Sequence, residues 1–189
     1  MTKQQLRDQY KTKRKELTGH MIEKYNDLIL INFQKITLPF IDCVHTYLAS
    51  LKLKEVDTAK LIQYLQFKNP HLKIAVPKLD IRGGKFLQYH FDEETELIQN
   101  GFGIDEPAGG NVIREKEIDL VLVPLLAFDR KGFRVGYGKG YYDKFLSLCK
   151  PNVIKVGLSF FDPVKEIDDI DHYDLPLDYC VTPNALFDF

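Results

Sequence analysis

Apolar residues recur along this chain in two rhythms, one helical and one of strand length, and the two alternate. From Lys3 to Glu16 the composition is helical, with Leu6, Tyr10 and Leu17 giving a thin apolar stripe. Thr18 stands where a helix cap belongs, and Ile22, Tyr25, Leu28, Ile29 and Phe33 follow at helical spacing. Cys43 to Leu48 reads as a buried strand, and Asp57 and Thr58 are cap-like before the short amphipathic segment of Leu61, Ile62 and Leu65. Lys73 to Leu79 is a further strand. Arg82-Gly83-Gly84-Lys85 predicts a hairpin turn into an alternating strand carrying Phe86, Gln88, Tyr89 and Phe91. Phe102 to Pro107 reads as a loop. Ile118 to Leu126 is the most hydrophobic run and predicts a central strand covered on both faces. Lys144 to Leu148 is amphipathic, and Val153 to Phe160 and Tyr179 to Thr182 complete the strands. Strands alternating with helices predict an α/β fold: one three-layer α/β/α domain over residues 1–189, with a mostly parallel open sheet and N-terminal helices. Ligands of such sheets bind at the carboxyl ends of the strands.

Arg134-Val-Gly-Tyr-Gly-Lys-Gly-Tyr-Tyr-Asp143 falls where a strand is expected to give way to a helix. Gly136, Gly138 and Gly140 remove every second side chain, so backbone N–H groups can approach a phosphate. The following helix would aim its N-terminal dipole at the same place. Arg134 and Lys139 supply fixed positive charge, and the Asp143 carboxylate suits a magnesium ion held beside that phosphate. The spacing is neither a Walker A loop, since Tyr141 follows Gly140 where Lys-Ser/Thr would be needed, nor a dinucleotide fingerprint, since the glycines alternate strictly. A polyphosphate site fits the pattern; a plain glycine-rich turn is the competing reading.

Charge and composition narrow the classes. The 189 residues carry a formal net charge of -1, so no global basic field supports nonspecific nucleic-acid binding. The basic run Lys3, Arg7, Lys11, Lys13, Arg14 and Lys15 is expected mostly on a solvated helix face. Cys43, Cys149 and Cys180 show neither metal spacing nor a disulfide framework, which suits a reducing cytosol, with each expected as a small buried apolar residue. The polar N-terminus shows no signal peptide and no apolar run spans a bilayer, so a cytoplasmic protein without membrane partners is expected.

The stretch Val123-Pro124-Leu125-Leu126-Ala127-Phe128-Asp129, then Gly132, then Arg134 to Asp143 and Phe145-Leu146, resembles the signature of the 5-formyltetrahydrofolate cyclo-ligase (5,10-methenyltetrahydrofolate synthetase) family. Lys3-x-x-Leu6-Arg7, Tyr47 with Glu55-Val56-Asp57-Thr58, Gly103-Ile104-Asp105-Glu106-Pro107 and His172 to Asp178 resemble further family segments in the same order. Leu125 and Phe161-Asp162 depart from its pattern. The resemblance implies an ATP- and Mg²⁺-dependent ligase that converts 5-formyltetrahydrofolate to 5,10-methenyltetrahydrofolate with release of ADP and phosphate. It implies ATP contacts at Lys3, Arg7, Arg134, Gly136, Tyr137, Gly138, Lys139, Gly140, Tyr141 and Tyr142, with Arg134 and Lys139 catalytic. It also implies substrate contacts at Ser50, Glu55 and Tyr141, and Mg²⁺ held by Asp143 and Asp174. Lys78 and Arg82 are expected near the glutamate tail, and His172 is read as structural. A monomer is expected. The alternative is a noncatalytic nucleotide- or folate-binding module on the same fold, which would have no need of Lys3, Arg7 and Asp143.

Overall fold

A computed structural model describes residues 1–101 and 103–189; Phe102, at the start of the expected 102–107 loop, lies outside the described residues. The helices are α1 (Lys3–Glu16), α2 (Gly19–Phe33), α3 (Ala59–Lys68) and α4 (Tyr141–Leu148), with a short 3-10 turn at Glu115–Glu117. The strands, in chain order, are β1 (Cys43–His45), β2 (Lys73–Asp80), β3 (Lys85–His90), β4 (Leu97–Gln99), β5 (Asp105–Pro107) and β6 (Val112–Ile113). They continue as β7 (Leu120–Pro124), β8 (Ala127–Phe128), β9 (Arg134–Val135), β10 (Ile154–Leu158), β11 (Tyr179–Val181) and β12 (Leu186–Asp188).

Both N-terminal helices start on side-chain caps. The Thr2 hydroxyl accepts from Gln5 N and the Gln5 side chain accepts from Thr2 N, a reciprocal capping box; Thr18 accepts from Met21 N. Thr58 precedes α3 but does not cap it. Its hydroxyl donates to the Tyr47 carbonyl and accepts from Thr46, while Asp57 Oδ1 takes the Ala59 N–H at 3.0 Å.

The main sheet runs β12-β11-β10-β7-β1-β2-β3-β6. Its five central strands, β11 to β2 in that order, are parallel; β3, β6 and β12 pair antiparallel at the edges. The chain direction across the sheet reverses between β1 and β7, the place where the carboxyl ends splay into a crevice. Alternation along β7 fills two cores at once. Leu120 and Leu122 pack with Ile29, Phe33 and Leu61 of α2 and α3, whereas Val121 and Val123 pack with Phe145 and Leu146 of α4. A third cluster joins Leu6 and Tyr10 of α1 to Leu126, Ala127 and Val135 beyond the strand ends.

Three expectations need correcting. Asp105–Pro107 of the expected 102–107 loop is a strand, β5, paired antiparallel with β4. The hydrophobic run does not form one strand to Leu126. It leaves the sheet after Pro124 and makes a separate antiparallel pair, Ala127↔Val135 and Phe128↔Arg134. The glycine loop therefore follows a hairpin and not the central strand itself. Asp129, 1% exposed, builds that hairpin by accepting from Lys131 N and Phe133 N through Oδ1 and from Ile167 N through Oδ2. Among the described residues, no helix is long and apolar enough to cross a membrane.

Candidate active site

The hairpin delivers Gly136 to Gly140 to the crevice, and the loop needs its glycines. Gly138 has φ +93° and Gly140, the residue that caps α4, has φ +67°, both left-handed. Among the described residues, no backbone N–H from Gly136 to Asp143 donates a hydrogen bond within the protein. A run of free donors at a helix N-terminus is an anion site by geometry and by dipole. Lys139 stands exposed on the same loop without an ion-pair partner among the described residues.

Helix α1 lies against this loop. Arg7 Nε donates to the Gly136 carbonyl at 3.1 Å, and a Cβ on Gly138 would sit 3.1 Å from the same nitrogen. Lys3 Nζ pairs with Asp174 and lies 3.6 Å from Asp171, and the chain's amino terminus pairs with Asp168 at 2.8 Å. Burial pulls the Lys3 ammonium down, but the bond and charge of Asp174 outweigh it and leave the lysine above its ordinary range. The expected cation and the expected metal ligand are thus brought into contact with each other.

Arg134 is 7% exposed, beneath the loop. It donates to Asp143 Oδ1 at 2.9 Å and to the Leu175 carbonyl at 2.6 Å. Burial lowers the guanidinium from its ordinary value, and the charges of Asp143 and Asp174 oppose that shift, so both carboxylates share its neighbourhood. Asp143 Oδ1 also accepts from Leu175 N at 3.2 Å, which leaves Oδ2 without a partner among the described residues. No group of three or more His, Cys, Asp or Glu side chains gathers for a metal among them. A site of one or two carboxylates completed by phosphate oxygens and water suits magnesium, and the free Asp143 oxygen beside the loop fits it.

Across the crevice Glu55 Oε1 accepts from Tyr137 Oη at 2.8 Å and Oε2 accepts from Ser50 N at 2.9 Å. The Ser50 hydroxyl is occupied locally, accepting from Leu53 N at 3.3 Å. Tyr141 packs on Phe86, ring centroids 5.3 Å apart, and Tyr142 turns inward with its hydroxyl 3.2 Å from His45 Nε2. Lys78 donates to the Ala108 carbonyl at 2.5 Å, and His172 is exposed with its ring against Tyr173.

Three residues of this region escape the sequence reading. Arg14, placed there on a solvated face, is 4% exposed; it donates to Tyr137 Oη at 2.9 Å and to the Leu125 carbonyl. The signal was present, because Leu6, Tyr10 and Arg14 follow at intervals of four on one stripe. His45 is fully buried with Nδ1 2.7 Å from Gln88 Oε1, and burial lowers its pKa to about 4. Nothing in the sequence marks His45 and Gln88 as neighbours, since β1 and β3 meet only through β2. Two surface grooves line the β12 edge, one of about 540 Å³ around Arg130, Asp162 and Phe187, and neither touches the glycine loop.

The fold and this crevice define an α/β domain in which a glycine loop with free N–H donors stands opposite an acid. The 5-formyltetrahydrofolate cyclo-ligase family model matches residues 1–183, and the chain belongs to that family of ligases. It is 38% identical over 128 residues to the 5-formyltetrahydrofolate cyclo-ligase of Haemophilus influenzae, covering 65% of this chain and 67% of that one. It is 33% identical to a probable 5-formyltetrahydrofolate cyclo-ligase of Schizosaccharomyces pombe, covering 98% of this chain and 97% of the relative. The solved structure of Aquifex aeolicus 5,10-methenyltetrahydrofolate synthetase superposes with a TM-score of 0.79 at 29% identity, over 100% of this chain and 93% of that one.

Proposed function

We propose that this enzyme uses ATP and Mg²⁺ to close 5-formyltetrahydrofolate into 5,10-methenyltetrahydrofolate, acting as a monomer. The observation that carries the reading is the run of free N–H donors from Gly136 to Asp143, set beside Arg7 and Lys139 and facing Glu55.

A formamide is a weak electrophile because its nitrogen lone pair is shared with the carbonyl. Attack of the formyl oxygen on the γ-phosphorus releases ADP and makes that oxygen a leaving group. N10 then attacks the activated carbon, its proton departs, and the C–O bond breaks to free phosphate. Loop N–H groups hold the phosphates, while Lys139 meets charge that grows on the γ-oxygens in the transition state. Glu55, positioned by Tyr137 and Ser50, accepts the paired donors of the pterin's aminopyrimidine edge. The free oxygen of Asp143, with Asp174 nearby, would hold Mg²⁺, which would offset the negative charge of the triphosphate.

The test is the absorbance of methenyl product formed from 5-formyltetrahydrofolate, with ATP and magnesium supplied or withheld singly. Product only when both are present is expected. Equal product without ATP would refute the reading.

A further inference from the structure

The mechanism above gives no task to the buried arginine at the end of α1. We infer that Arg14 is a positioning residue that holds Glu55 in register with the glycine loop, acting through the Tyr137 hydroxyl. This rests on the folate-binding role proposed for Glu55.

The geometry is a relay of charge, hydroxyl and charge. Arg14 Nη1 donates to Tyr137 Oη at 2.9 Å, and that hydroxyl donates to Glu55 Oε1 at 2.8 Å. The second Arg14 arm grips the Leu125 carbonyl, just past the end of β7, so the guanidinium is anchored to the sheet. Its Nε is buried with no hydrogen-bond partner among the described residues. Burying a guanidinium this way costs desolvation that an apolar residue on the same stripe would avoid, so stability alone gives no reason for an arginine here.

Placement reinforces the point. Arg7 and Arg14 of one helix hold two consecutive loop residues, Arg7 the carbonyl of Gly136 and Arg14 the side chain of Tyr137. The segment that carries Glu55 is tied to the same helix, because Lys54 Nζ donates to the carbonyls of Lys15 and Leu17 at 2.6 Å each. Burial first, and then the Glu55 charge, raise the Tyr137 phenol above its ordinary pKa, so it remains a donor to the carboxylate. A lysine would present its donors from a single nitrogen, whereas the planar fork reaches the phenol through Nη1 and the carbonyl through Nη2 from two fixed positions.

The experiment is a double-mutant cycle on the full chain, read as the KM for 5-formyltetrahydrofolate at saturating ATP. Arg14→Gln should raise that KM about tenfold, more than it raises the KM for ATP. In a Glu55→Gln background, adding Arg14→Gln should change it less than about twofold, because the group being positioned is already gone. Arg14→Lys should recover only part of the loss. If Arg14→Gln does not fold, Tyr137→Phe, which removes one hydroxyl, is carried through the same cycle with the same expectation. Independent, additive effects of the two substitutions would overturn the inference, as would an unchanged folate KM in a folded single variant. Loss of turnover in the parent protein itself would sink the functional reading and this inference with it; full parent turnover with additive variants sinks this inference alone.

Discussion

Lys139 and Asp143 sit four residues apart yet have opposite structural situations, and the difference sets what their substitution should do. Lys139 is exposed and has no ion-pair partner among the described residues. Lys139→Ala should therefore lower turnover by roughly two to three orders of magnitude, the scale of one lost transition-state donor. Its thermal midpoint should stay with the parent's; near-normal turnover would refute the role. Asp143 is tied to the buried Arg134, so its removal touches folding as well as chemistry. Asp143→Asn should raise the magnesium concentration for half-maximal activity about tenfold or more, while costing up to about 3 kcal/mol of stability as the charged partner is lost. A lower melting temperature with an unshifted magnesium curve would make Asp143 only the partner of Arg134. His45 gives a pH prediction. With a folded pKa of about 4 against an ordinary 6.5, the unfolded chain binds the proton first as pH falls. Its contribution to stability is full above about pH 6.5 and declines at about 1.4 kcal/mol per unit down to pH 4. Denaturant melts of His45→Gln from pH 7.5 to 4.5 should show a flatter decline than the parent; equal slopes would contradict it.

At the level of elements, the joint between α1 and the glycine loop organises the site. Gly138 shows how tight it is. An alanine there would have to adopt φ +93° and place its Cβ 3.1 Å from Arg7 Nε. Gly138→Ala should cost about 1–3 kcal/mol, and should raise the KM for ATP by displacing Arg7. An unaltered KM in a folded variant would mean that the joint is not needed for nucleotide binding. The long elements were legible from pattern alone. α1 spans Lys3–Glu16 as expected, and α2 begins one residue after the Thr18 cap. β2 and β3 meet at the expected Gly-Gly turn. The two- and three-residue strands β4, β5, β6, β8, β9 and β12 were not, because a period cannot be read from so few positions. Missing β8 and β9 led to the picture of a central strand feeding the loop directly. The real path, through a hairpin fixed by Asp129, depends on a hydrogen bond to Ile167 that lies 38 residues away.

On the scale of the whole molecule, alternation of strands and helices implied a mainly parallel sheet but not its order. That order is what brings residue 7, residue 55 and residues 134–143 to one crevice at the reversal between β1 and β7. The loop's own residues were legible because the glycines and charges are contiguous. His45 and Gln88 were not, since each becomes informative only through a partner far along the chain; the stripe of Leu6 and Tyr10 marks Arg14 as inward-facing, but not its partner Tyr137. The central claim is that the crevice joins a phosphate-binding loop to a folate-binding acid so that the formyl oxygen can be phosphorylated. The most direct measurement is the fate of that oxygen, followed by mass spectrometry of the phosphate formed from 5-formyltetrahydrofolate labelled with ¹⁸O in the formyl group. The account predicts one labelled oxygen in each phosphate released, and unlabelled phosphate accompanying methenyl product would contradict it.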